Sequence, residues 1–291
     1  MMGFGRLITA LYTPFTKERE IDWPRLGETI ERLIENGNDA IVVSGTTAES
    51  PTLTQEEKIE LFRFALEKVN GRIKVIAGTG SNNTAQSIQL TKKADEIGAD
   101  GVMIVAPYYN KPSQEGLYQH FKSIAEVTKL PVMLYNVPGR TSVNMSVETM
   151  TRLAQLENVA AIKEASGNLN QISSLIAALP ENVAVYSGDD GLTLPVLSVG
   201  GAGVVSVASH LVSREIKEMI DAYFAGDIKK ARELHIRLLP VFHGVFITTS
   251  PAPLKYAMYK KGWSEPYVRL PIVELTEEEK KKTDEWIEKL L

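Results

Sequence analysis

"ENVAAIKEASGN", residues 157–168, carries an apolar run, Val159-Ala160-Ala161-Ile162, that ends on a lysine. An unpaired charge in apolar surroundings is costly, and a buried lysine commonly gives up its proton instead. What Lys163 can do depends on the fold, and the fold follows from how often such runs recur. "RLITALY" (6–12), "DAIVVSG" (39–45), "IKVIAGTG" (73–80), "GVMIVAP" (101–107) and "PVMLYNV" (131–137) precede "VAAIKEA" (159–165), and "VAVYSGD" (183–189) and "GVVSVAS" (203–209) follow it. These runs are continuous rather than alternating, as in strands buried on both faces of a parallel sheet.

Amphipathic stretches separate them. Leu26, Ile30, Leu33 and Ile34 share one helical face, as do Ile59, Phe62, Leu66 and Val69. Thr54 with Glu57 fits a capping box, and Asn36-Gly37 fits a helix stop. Eight strand–helix units at a period of roughly 20 to 35 residues predict a closed (β/α)₈ barrel rather than an open doubly wound sheet. After residue 225 the strand signals stop, and 227–248, 252–262 and 276–290 read as helices. The last opens with the pair Thr276 and Glu279 and lines up Trp286, Ile287, Leu290 and Leu291. The predicted organisation is a catalytic barrel over 1–225 and a helical C-terminal domain over 226–291.

The 291 residues carry 32 basic and 36 acidic side chains, a net charge of −4, which argues against nucleic acid or a membrane surface as a general partner. No apolar stretch is long enough to span a bilayer and the N-terminus lacks a signal-peptide pattern, so a cytoplasmic protein is expected. With no cysteine there is no disulfide, thiolate nucleophile or Cys-ligated zinc. The four histidines, His120, His210, His235 and His243, show no ligand spacing, and Asp189 and Asp190 fit an N-cap better than a metal site. "GTGSNN" (78–83) follows the third strand and lacks the last glycine of a dinucleotide fingerprint, and "GGAG" (200–203) has no Lys or Arg close by. No metal and no cofactor are expected.

Chemistry in such a barrel gathers where strands end. Lys163 sits at such an end, whereas Lys74 begins its strand and belongs to the opposite face. A rim lysine can simply snorkel to solvent. In a dry pocket, however, its amine is partly neutral and can form a Schiff base with a ketone. "SGTTAES" (44–50) offers hydroxyls and N–H groups for a carboxylate, although serine- and threonine-rich turns are common. "APYYNKPSQEGLYQHF" (106–121) places adjacent tyrosines at a strand end, pointing different ways, with core packing as the alternative. "YNVPGRT" (135–141) supplies a tyrosine that can relay protons and an arginine that can grip a carboxylate.

With GTT-ES, PYYNKPSQEGLYQHF, YNVPGRT, IKEASGN and YSGDD in this order, the sequence resembles the dihydrodipicolinate synthase family along nearly its whole length. The resemblance implies a lyase of the pyruvate-dependent class I aldolase type on a barrel with a C-terminal helical domain, assembled as a homotetramer of two tight dimers. It implies condensation of pyruvate with L-aspartate-4-semialdehyde on the diaminopimelate route to lysine, without a cofactor. Matched by motif, Lys163 forms the imine and Tyr135 moves protons. Thr46 links Tyr135 to Tyr109, which in the family reaches in from the partner subunit. Thr47 binds the pyruvate carboxylate, Arg140 that of the semialdehyde, and Gly188 and Val205 line the pocket.

Ala48 stands where the family motif usually has glycine, and alanine costs about a kcal/mol or more if the position requires φ > 0. Ser50, Asn82 and Tyr108 match a lysine-binding regulatory cleft of the family. Gln55 and Lys58 replace its usual histidines and Gln86 a glutamate, which implies weak or absent inhibition by lysine. Two rival readings are a related pyruvate-lysine lyase, such as N-acetylneuraminate lyase or 2-keto-3-deoxygluconate aldolase, and a non-catalytic keto-acid-binding barrel. The lyases share the lysine and the Y-N-x-P tyrosine but generally lack an arginine matching Arg140.

Overall fold

The computed structural model of the chain describes residues 3–288. The eight apolar runs form eight parallel strands: β1 Leu7–Ala10, β2 Ala40–Val43, β3 Lys74–Gly78, β4 Gly101–Val105, β5 Val132–Asn136, β6 Val159–Glu164, β7 Ala184–Ser187 and β8 Gly203–Ser206. Neighbours in sequence pair with one another, and β8 pairs back onto β1 to close the barrel. Closure needs a residue without a side chain at Gly203, where a Cβ would lie 2.0 Å from the Arg6 carbonyl oxygen.

Successive strand residues face opposite ways. Along β2, Ala40 and Val42 join the barrel interior, while Ile41 and Val43 pack beneath the surrounding helices. Both faces are therefore apolar, which is why the runs are continuous. Along β6, Ala161 points inward and Ile162 outward, so Lys163 points inward at the strand's C-terminal end. Lys74 opens β3 and is exposed at the opposite end.

Two helix faces differ in detail from the periodicity. Helix Trp23–Glu35 buries Leu26, Ile30 and Leu33 with Ile34 at the edge. Helix Gln55–Val69 buries Leu61, Phe62, Ala65 and Val69, leaving Ile59 and Leu66 half-buried. The small Ala65 lets that helix approach closely, and a pattern weighted by large side chains overlooks it. The capping box of Thr54 and Glu57 is formed, a device worth about 1 kcal/mol.

The C-terminal segments form helices Ile228–Gly244, Ala252–Lys260 and Glu277–Ile287, the last opened by the Thr276–Glu279 box. Leu290 and Leu291 lie outside the described residues. Leu238, Phe242, Leu254, Met258 and Trp286 join one apolar cluster with Ile8, Val42 and Met133 of the barrel. The extension and the barrel thus share a core, and helix Ile228–Gly244 reaches the barrel mouth. No helix among the described residues is long and apolar enough to cross a membrane.

Candidate active site

Tyr135 on β5 and Lys163 on β6 are partners in the strand register. Both point inward, and the Lys163 Nζ lies 4.0 Å from the centroid of the Tyr135 ring. Lys163 is 5 % exposed. Burial pulls its ammonium down to about 7; the Asp190 carboxylate opposes this, and the Arg140 charge adds to it. The amine is therefore available as a nucleophile near neutrality. Burial raises the Tyr135 phenol above its usual range, opposed by Arg140 and by the hydrogen bond with Thr46. Tyr135 thus holds its proton, and a protonated phenol can serve as a donor.

Room for the lysine is made by Gly188, just beyond β7. A Cβ there would come within 2.6 Å of the Ala165 Cβ and 3.1 Å of the Lys163 Cε. Lys163 opens into a cavity of about 630 Å³ lined also by Thr46, Thr47, Gly188, His243 and Ser250. A second cavity of about 260 Å³ is lined by Ser50, Lys58, Ser81 and Tyr108. The two share a wall of Thr46, Tyr135, Val137 and Arg140. Arg140 sits on the short helix Pro138–Thr141, exposed at this wall, and among the described residues it has no carboxylate partner. Such a guanidinium can take an anionic substrate group.

The other expected site residues divide. Thr46, Thr47, Tyr135, Arg140, Lys163 and Gly188 meet at one cavity. Val205 is buried in the barrel interior and does not line this cavity, whereas Val207 does, with Val137 and Phe242. Tyr108 turns into the second cavity, while Tyr109 is 89 % exposed with φ 73°, so the adjacent rings do diverge. Of the regulatory-cleft residues, Ser50, Lys58 and Tyr108 line the second cavity, and Gln55, Asn82 and Gln86 do not. Lys58 is held below the usual ammonium range by burial. Ala48 is buried and is not among the residues with positive φ, so it carries no penalty of that kind.

Asp189 and Asp190 part company. Asp189 caps the following turn, accepting from the Gly191 N–H at 2.8 Å. Asp190 instead accepts from the Val207 and Ala208 N–H groups, both at 3.0 Å, and from the Ser206 hydroxyl. It ties down the Val207–Ala208 backbone just before helix Ser209–Phe224 from across the β7–β8 seam. Burial raises its pKa, and these three donors oppose the rise. Its charge faces Lys163, a role that the sequence motif "YSGDD" marks only by the double acid. His243, Phe246 and Ser250, from the C-terminal extension, complete the mouth with no motif to announce them.

Residues 3–290 match the dihydrodipicolinate synthetase family. The chain is 56% identical over 280 residues to 4-hydroxy-tetrahydrodipicolinate synthase of Bacillus subtilis, covering 96% of this chain and 97% of that one. The crystal structure of a dihydrodipicolinate synthase from Bacillus anthracis superposes with a TM-score of 0.97 at 53% identity, over 99% of each chain. A chloride-inhibited dihydrodipicolinate synthase from Acinetobacter baumannii, complexed with pyruvate, gives 0.96 at 38% identity, again over 99% of each.

Proposed function

The chain belongs to the dihydrodipicolinate synthetase family, and from that premise we propose that the buried amine of Lys163 bonds to pyruvate and that the resulting enamine attacks L-aspartate-4-semialdehyde. The activity is that of a 4-hydroxy-tetrahydrodipicolinate synthase, a lyase of lysine biosynthesis, rather than that of the related lyases or of a mere binder.

The observation that carries the mechanism is the dry amine of Lys163 set against the Tyr135 ring. The neutral amine adds to the ketone carbon, and the carbinolamine loses its hydroxyl as water with a proton from Tyr135. The protonated imine then draws electrons from the methyl group, whose proton passes to the Tyr135 phenolate to give the enamine and restore the phenol. That carbon bonds to the aldehyde. The substrate amine finally attacks the imine carbon, closing the ring and releasing Lys163. Thr46 passes protons onward from Tyr135, Thr47 holds the pyruvate carboxylate, and Arg140 holds that of the semialdehyde. Tyr109, already turned outward, reaches a partner's site in a tight dimer, two of which form the tetramer. The barrel over 1–225 carries the reacting groups, the extension over 226–291 roofs them, and the enzyme works in the cytoplasm.

Borohydride reduction with pyruvate tests the covalent step: a stable adduct on Lys163 is expected by peptide mass spectrometry, and its absence refutes the imine. Trapping with cyanoborohydride at limiting pyruvate should quicken steeply as pH rises towards 7 and level off above it, because only the deprotonated amine attacks. A rate falling over that interval contradicts a depressed amine. Arg140→Ala removes a charge-assisted contact worth about 1.5–3 kcal/mol, so the semialdehyde KM rises about ten- to a hundredfold. Adduct formation with pyruvate should survive in this variant; unaltered semialdehyde kinetics would take the role from Arg140.

We also propose that the smaller cavity rejects L-lysine. Lys58 places an ammonium on its wall, and no carboxylate lines it. A cationic ligand meets like charge there. Activity should hold across rising L-lysine, and half-inhibition at sub-millimolar concentration overturns the reading.

A further inference from the structure

The backbone that carries the Thr46–Thr47 turn is unusual for a binding site. It is bracketed by Ser44 (φ 61°) and Glu49 (φ 57°), both in the left-handed region. Residues with a Cβ are strained there, and such strain persists only where the surroundings over-determine it. Two of the restraints are modest. The Ser44 and Ser50 hydroxyls lie 3.1 Å apart, and the Thr13 hydroxyl donates to the Ala48 carbonyl at 2.9 Å.

The third is an ion pair. Glu49, two residues beyond Thr47, has a side chain with 0% exposure, as has its partner Lys255. The Glu49 Oε1 accepts from the Lys255 Nζ at 2.6 Å, and its Oε2 accepts from the Arg269 backbone N–H at 2.8 Å. Lys255 donates again to the Tyr267 carbonyl at 2.8 Å, and its ammonium lies 4.1 Å from the Phe15 ring centroid. The Arg269 guanidinium forks onto Glu57, which caps the helix after the turn, at 2.8 and 2.6 Å. Lys255, Tyr267 and Arg269 all belong to the C-terminal extension.

Stability alone is a poor account of this pair. Replacing a buried ion pair with apolar groups of similar volume is often neutral or stabilising. What an apolar pair would lack is direction: Glu49 is fixed through both carboxylate oxygens, and with it the backbone two residues from Thr47. We propose that Glu49 and Lys255 are a positioning pair that sets the Thr46–Thr47 turn against the Lys163 site, so that the C-terminal extension governs affinity for the keto acid. This rests on the reading that Thr47 holds the keto-acid carboxylate.

The test is a set of steady-state KM values for both substrates in the parent, Lys255→Met, Glu49→Gln and the double variant. Each single variant should raise the pyruvate KM about tenfold or more, while the semialdehyde KM, set from Arg140 on another strand end, stays within about twofold. The double variant leaves no buried unpaired charge, so it should melt higher than Lys255→Met yet keep the raised pyruvate KM. A purely structural role predicts otherwise: KM values that follow stability, or activity lost with both KM values unchanged. Either result overturns the proposal. Should Lys255→Met be recovered unfolded, Glu49→Gln, which keeps the shape and one acceptor oxygen, decides on the same readout. Thr47→Val is the control for the reading of Thr47: should it leave the pyruvate KM unmoved, Thr47 does not hold the carboxylate and the proposal falls with it. A raised pyruvate KM in Thr47→Val with an unmoved one in the pair variants would sink only the positioning role.

Discussion

Lys163→Met should abolish synthase activity, by more than about 10⁴-fold, while the barrel stays folded. The two expectations have one cause. Lys163 is buried, and its ammonium is disfavoured there. Methionine is of similar length, fills the same volume and asks for no hydration, so the variant should melt no lower than the parent. Without the amine, however, no protonated imine forms, and the pyruvate methyl group has nowhere to place its electrons. A coupled assay and a melting curve check both halves. Residual turnover within tenfold of the parent would mean that the bond-forming step does not pass through Lys163.

Tyr135→Phe is the second large expectation. The ring that lies 4.0 Å from the Lys163 Nζ remains, so packing and the contact with the ammonium are kept. Only the hydroxyl goes, and with it the proton donor proposed for the carbinolamine and the link to Thr46. Loss of a positioned acid typically costs about a hundred- to ten-thousandfold, and kcat should fall by that order with a smaller change in pyruvate KM. Reduction by borohydride should still label Lys163, but slowly. A variant that labels and turns over like the parent would leave Tyr135 a packing residue.

The barrel was legible because each strand is apolar on both faces. The eight runs therefore stand out in order, and their ends locate Lys163, Tyr135 and the turn carrying Thr46 and Thr47. What escaped the sequence is what closure and long-range packing bring together. Asp190 faces Lys163 because it follows β7, the strand paired with β6, and the N–H groups that hold it, those of Val207 and Ala208, lie across the β7–β8 seam. His243 and Ser250 reach the mouth only because Phe242 and its neighbours share the barrel core. Lys255 and Glu49 are 206 positions apart, and no local pattern pairs them. The buried face of helix Gln55–Val69 turned on Ala65, a residue too small to register in a count of large apolar side chains.

Tyr135 and Lys163 ride on hydrogen-bonded neighbouring strands, whereas Thr47 rides on a turn and Arg140 on the short helix above them. The spacing of these two side chains is therefore written into the ladder itself, about 4.8 Å from one strand to the next. On the roles proposed above, mutational drift around Arg140 can exchange one acceptor aldehyde for another while the electron sink stays put. A lineage built on this scaffold is free to diversify in what it joins to pyruvate long before it has to reinvent how pyruvate is activated.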